Sequence, residues 1–139
     1  DAVLTVMKAA TQLLVPGTIL KDYHVAVGSL MEKELVDLGL ITMDDIKSQN
    51  AELPAYKKYF MHGTSHFLGL DVHDVGNWDK PIEAGNVFTC EPGIYIREEN
   101  LGIRLENDIL VTENGPVDLM GDIPIEADEI EALMSQVPV

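Results

Sequence analysis

Three of the four histidines fall within twelve residues, at His62, His66 and His73, in the stretch Met61-His-Gly-Thr-Ser-His-Phe-Leu-Gly-Leu-Asp-Val-His-Asp-Val-Gly76. Imidazoles bunched this closely, and interleaved with glycines that let backbone approach, point to metal ligation or polar catalysis more than to packing. His62 and His66 have the i, i+4 spacing that on a helix would pair them on one metal ion. The intervening Gly63-Thr64-Ser65 is weak helix material, so the spacing predicts a turn here and no helical metal motif. An acidic counterpart lies downstream, with Glu91 in Thr89-Cys-Glu-Pro-Gly93 and Glu106 in Ile103-Arg-Leu-Glu-Asn-Asp108. Histidine combined with carboxylates suits Mn²⁺, Fe²⁺, Co²⁺ or Zn²⁺ better than thiolate-seeking ions. A two-metal site of this kind clamps a hydroxide and polarises a carbonyl, which is hydrolytic chemistry.

The acidic pair must be positioned by strands. Residues 87–90 and 103–112 read as strands, the second alternating Ile103, Leu105 and Asn107 against Arg104, Glu106 and Asp108, with a polar turn over 97–102. A hairpin turning near Glu98-Glu99 sets positions 91 and 106 opposite each other. Like charges facing across a ladder are destabilising, and a cation between them reverses the sign. The spacing also leaves open that Pro92-Gly93 breaks the register and releases both carboxylates to water. Pro92 holds Glu91 extended, and Gly93 suits a bulge that re-aims a side chain. Cys90 should face away from Glu91, as a small core residue.

Helices precede these strands. Val3, Leu4, Val6, Met7, Ala10, Leu13 and Leu14 recur at helical spacing over 1–15, with Asp1 as cap and Pro16-Gly17 as the stop. A second helix is predicted over 22–38, with Val27, Leu30, Met31, Leu35 and Leu38 on one side and Gly39 as terminator. Thr42, Asp44 and Asp45 read as the cap and first turn of a short third helix, and 50–58 as a connection. Asn114-Gly115 is a hairpin signal before a short strand over 116–119, and 128–134 closes as one or two helical turns. Helices followed by antiparallel strands define an α+β fold, and 139 residues suffice for one core.

The charge balance removes several function classes. Nine Lys and Arg stand against 24 Asp and Glu, a net charge of −15, which repels nucleic acid and anionic membrane alike. The single cysteine permits no intrachain disulfide and suits a reducing, cytoplasmic setting. No apolar run approaches the roughly 20 residues that a bilayer crossing needs.

Taken together, His62 to Gly76, Thr89-Cys-Glu-Pro-Gly-Ile-Tyr-Ile96 and Gly102-Ile-Arg-Leu-Glu-Asn-Asp-Ile109 resemble the pita-bread metallopeptidases, most closely the Xaa-Pro aminopeptidase and prolidase branch. The correspondence is good over about residues 59–112. The resemblance implies that His66 is a metal ligand, that Glu91 is a ligand that also handles the proton of the attacking water, and that Glu106 bridges two metals. It places His62 and His73 on the scissile carbonyl and the developing oxyanion, and Tyr95 and Arg104 behind the carboxylates as orienting residues. The implied reaction is release of the N-terminal residue from a peptide with proline second, usually with Mn²⁺ and otherwise with Co²⁺ or Zn²⁺. Prolidase is the neighbouring expectation within enzymes, and a non-catalytic binding module on the same scaffold is the expectation from another class.

The family supplies five ligands in the order Asp, Asp, His, Glu, Glu. Upstream of His66 this chain offers Asp1, Asp22, Asp37, Asp44 and Asp45, none with a strand pattern around it. The resemblance therefore implies that residues 1–139 are a single partial catalytic domain, its C-terminal part, with an incomplete metal site and little or no peptidase activity alone. An apolar face on such a piece would favour self-association into a homo-oligomer.

Overall fold

The computed structural model describes residues 1–135. Helix α1 (Ala2–Thr11) buries Val3, Leu4, Val6, Met7 and Ala10, the face picked out by the helical spacing. It ends before the expected residue 15, because Leu13 and Leu14 bond back by tighter steps to Ala10 and Thr11 just ahead of Pro16. Leu14 is nonetheless fully buried. Asp1 occupies the cap position, but its carboxylate bonds no helix amide; its carbonyl accepts from Thr5 instead. Helix α2 (Leu20–Asp37) starts two residues earlier than expected, after an extended Ile19, and buries Tyr23, Val27, Met31 and Leu35. Leu38, expected on that buried side, is 53% exposed because the helix has already ended at it. Gly39 follows with φ +71°, the left-handed conformation that glycine adopts at little cost at helix ends.

Helix α3 (Met43–Ser48) is held by a reciprocal cap. The Thr42 hydroxyl accepts from the Asp45 amide, and the Asp45 carboxylate accepts from the Thr42 amide. The Thr42 hydroxyl also donates to the Asp45 carboxylate at 2.7 Å, and this bond, followed by the one from the Thr42 amide, favours the ionised form and holds its pKa below the ordinary range. The helix has no fully buried residue and meets the core through the partly buried Ile46, so the cap is a large part of its support. Thr42→Ala is expected to cost about 1 kcal/mol locally, raising amide exchange across 43–48 about fivefold. Unchanged exchange rates in that segment would contradict this. The connection expected over 50–58 contains a single 3₁₀ turn, Ala55–Lys58.

The strands are β1 (Val87–Cys90), β2 (Gly93–Ile96), β3 (Leu101–Arg104), β4 (Asn107–Thr112) and β5 (Gly115–Asp118). They form an antiparallel sheet of order β1-β4-β5 and a separate hairpin, β2-β3. The single strand expected over 103–112 is thus divided at Leu105-Glu106. The division lies opposite Pro92, which has no N–H to donate, and the Glu91 N–H turns away to the Thr64 carbonyl at 2.7 Å. Register survives the division, since Cys90 faces Asn107 on one side of it and Gly93 faces Arg104 on the other. The turn is centred on Glu98-Glu99, as the spacing predicts, but closes at Asn100, whose φ of 52° is tolerated by asparagine better than by most residues. Helix α4 (Ala127–Met134) follows β5.

Helices α1 and α2 pack with Phe88, Cys90, Ile109 and Val111 of the sheet in one core. Cys90 is fully buried, as expected of a core residue, and burial pushes its thiol pKa up. The histidine segment runs extended along the outer edge of β1 where a turn was expected. Phe67 pairs with Phe88, the Thr89 N–H donates to the His66 carbonyl at 3.2 Å, and Leu68 N–H reaches Val87 at 3.4 Å. Among the described residues no helix is long and apolar enough to cross a membrane.

Candidate metal centre and cleft

His66 and Glu91 meet because the extended segment and β1 are neighbours, in register. His66 Nδ1 lies 2.9 Å from the Phe67 carbonyl oxygen, which can only accept, so this bond assigns the proton to Nδ1 and leaves the Nε2 lone pair free. Nε2 stands 3.1 Å from Glu91 Oε1. Thr89 supports both residues: its Oγ1 accepts from the His66 amide at 3.2 Å and donates to Glu91 Oε1 at 3.4 Å. Glu106 arrives from the opposite side of the hairpin, so that one ligand atom each from His66, Glu91 and Glu106 lies within 4.8 Å of the others. The expected facing of 91 and 106 is therefore present, and the divided strand does not release them from each other. Arg104 Nε sits 4.0 Å from Glu91 and 3.7 Å from Glu106, a cation flanking both carboxylates. Its side chain is half-exposed, so these long pairs contribute little energy by themselves. An imidazole nitrogen with its lone pair free, beside two convergent carboxylates, fits a divalent cation of the borderline-to-hard type.

His62 and His73 line the same cleft, of about 600 Å³, with His66 and Glu91. The His73 ring stands edge-on to that of His66 with centroids 4.3 Å apart. His62 Nδ1 is 2.8 Å from the Gly63 carbonyl and its Nε2 is 2.8 Å from the Tyr95 hydroxyl. Tyr95, expected behind the carboxylates, is instead the partner of His62. Its ring lies over two glycines: a Cβ at Gly93 would come within 2.8 Å of the Tyr95 hydroxyl, and one at Gly102 within 2.9 Å of the ring. Only the absence of side chains at those two sites lets the phenol lie flat along the hairpin toward His62.

Sequence reasoning missed two members of the cleft wall, His24 and Trp78. Their rings stack with centroids 6.4 Å apart, and His24 Nδ1 accepts from the Thr64 amide at 3.3 Å. His24 sits in α2, about 40 residues before the histidine cluster, and no spacing pattern joins the two. Burial, and secondarily the charge of Lys57, lowers its pKa below the ordinary value. The unfolded chain therefore binds this proton more readily than the folded one. The contribution to stability is whole above about pH 6.5 and is lost as pH falls from there through the lower folded value. Melting temperatures at pH 7.5 and 5.5 are expected to differ less in a His24→Asn variant than in the parent chain. An equal difference in both would remove this account.

The pattern of metallopeptidase family M24 matches residues 1–113, and the chain belongs to that family. It is 41% identical to the Xaa-Pro aminopeptidase of Haemophilus influenzae, over 97% of this chain and 34% of that protein. The structure of Escherichia coli aminopeptidase P with the inhibitor Pro-Leu matches at a TM-score of 0.83 and 38% identity, over 97% of this chain and 33% of that one. The zinc-substituted form of the same enzyme, in complex with product, matches at 0.84 and 38% identity with the same coverage. The chain thus has the fold expected from its motifs, part of the pita-bread architecture, and spans about a third of the length of these relatives.

Proposed function

We propose that this chain supplies part of the active site of a metal-dependent aminopeptidase that removes the N-terminal residue from peptides with proline in second position. The convergence of His66, Glu91 and Glu106 within 4.8 Å carries this reading, and the Xaa-Pro aminopeptidases among its relatives support the specificity. His66 Nε2 and the two carboxylates would hold divalent metal, two ions in the whole enzyme and Mn²⁺ by preference, with Co²⁺ or Zn²⁺ able to replace it. The metal would supply a nucleophilic water at neutral pH and polarise the scissile carbonyl. Glu91 is the carboxylate placed to take up the proton of the attacking water. His73 donates to the oxygen on which negative charge develops, and His62 reaches the peptide carbonyl when substrate displaces one of its two present partners, the Gly63 carbonyl or the Tyr95 hydroxyl. Tyr95 fixes the His62 ring through its 2.8 Å bond in the absence of substrate, and Arg104 sets a positive charge beside the two carboxylates.

The test is made on the whole protein carrying this sequence, with Mn²⁺, comparing a peptide with proline second against the same peptide with alanine second. Release of the first residue from the proline peptide only is expected, together with a loss of about 10²–10⁴-fold in Glu91→Gln, the range for a positioned proton acceptor. Equal cleavage of both peptides, or full activity in Glu91→Gln, would sink the reading.

A further inference from the structure

Behind the candidate ligands, on the side facing the helices, lies a buried polar contact that the proposed chemistry does not use. Tyr23 of α2 is 2% exposed, and its hydroxyl lies 2.9 Å from Ser65 Oγ and 3.9 Å from Cys90 Sγ. Ser65 is itself 3% exposed and Cys90 fully buried. Ser65 immediately precedes His66, and Cys90 immediately precedes Glu91. Side chains alternate across an extended chain, so the Ser65 hydroxyl and Cys90 thiol meet α2, while His66 and Glu91 point into the cleft that Ser65 also borders. One phenol oxygen thus touches, from behind, both segments that carry those two candidate ligands.

Other contacts complete the arrangement. Cys90 is also held by α1, where Thr11 Oγ1 lies 3.6 Å and the Met7 carbonyl 3.7 Å from its sulfur. In front, the two segments are joined by the Thr89 amide to His66 and the Glu91 amide to Thr64. Those bonds set register and leave the stagger of the segments relative to α2 to the contacts behind. Phenylalanine would fill the same core volume without a polar atom to satisfy, so packing alone gives no reason for the hydroxyl. Burial also raises the phenol pKa far above its usual value, so the group stays protonated and able to donate.

We infer that Tyr23 is a positioning residue for the metal centre: its hydroxyl ties Ser65 and Cys90 to α2 and thereby sets the 3.1 Å approach of His66 Nε2 to Glu91 Oε1. The inference rests on His66 and Glu91 being ligands. Loss of a polar partner bonded directly to a ligand typically weakens metal binding roughly 10–100-fold, and Tyr23 acts one residue further away, so about 3–10-fold is expected.

The experiment follows Mn²⁺ affinity of the full chain through paramagnetic broadening of the amide signals around residues 64–66 and 89–91, a readout that reaches weak affinities and needs no catalysis. Tyr23→Phe and Ser65→Ala should each weaken Mn²⁺ binding about 3–10-fold. The double variant should be no weaker than Tyr23→Phe alone, since that change already removes the bond that Ser65→Ala removes. Leu35→Val, a change to a fully buried residue near the other end of α2, should lower the melting temperature and leave affinity unaltered. Wild-type affinity in Tyr23→Phe, or an equal loss in Leu35→Val, would overturn the positioning role while His66→Ala still abolished binding. Broadening that persisted in His66→Ala, or that no Mn²⁺ concentration produced in the parent chain, would overturn the ligand reading and this inference with it.

Discussion

His66→Ala is expected to remove Mn²⁺ binding by this chain, with affinity falling more than about 100-fold, because loss of a mere outer partner of a ligand already costs roughly 10–100-fold. The imidazole contributes the one uncharged donor of the cluster, with its Nε2 lone pair kept available by the 2.9 Å bond from Nδ1 to the Phe67 carbonyl. Alanine would leave Glu91 and Glu106 beside the half-exposed Arg104, with no imidazole to complete a metal site. Glu106→Ala should weaken binding as well, since it removes one of the two carboxylates that the hairpin brings together. Calorimetric titration of Mn²⁺ into the three proteins, with circular dichroism to verify the fold, checks this. Parent-like affinity in His66→Ala would mean that metal binds elsewhere among the 24 acidic residues, and the assignment of the site would be wrong.

Phe88→Ala is expected to lower folding stability by about 3–5 kcal/mol, the range for truncating a large core aromatic. Phe88 is fully buried in β1, its ring centroid 4.7 Å from that of Phe67, and its backbone pairs with Phe67 at the edge that carries the histidine segment. Truncation therefore opens a cavity and also loosens the support of residues 64–68. Urea denaturation should show a lower midpoint with little change in slope. Leu70→Ala makes the contrast, because Leu70 is fully exposed, and should stay within about 0.5 kcal/mol of the parent. A loss below about 1 kcal/mol in Phe88→Ala would show that the core closes around the gap or that Phe88 is not packed as described.

Much of this arrangement could be read from local pattern. The apolar spacing of α1 and α2 identified their buried faces, because a helix repeats every few residues and its own sequence shows which side meets the core. The hairpin register could be counted from the polar turn, which sets Glu91 opposite Glu106, while Pro92-Gly93 left open whether that register holds through the bend. The grouping of His62, His66 and His73 within twelve residues was visible because that stretch is contiguous, whereas their meeting with the two glutamates was implied only by the family resemblance.

What tertiary structure decided involves partners far apart in sequence. The division between β3 and β4 required knowing that the Glu91 amide finds the Thr64 carbonyl instead of a hairpin partner, a contact across 27 positions. Tyr95 turned to His62 because Gly93 and Gly102 meet beneath its ring, which no reading of either strand alone discloses. His24 and Trp78 became a cleft wall, and Tyr23 came to lie behind His66 and Glu91, only through the packing of α2 against the sheet. Residue type and spacing specify short-range geometry because the chain itself holds neighbours together. Contacts between distant segments are selected by how all the buried surfaces fit at once, and that selection is made in three dimensions.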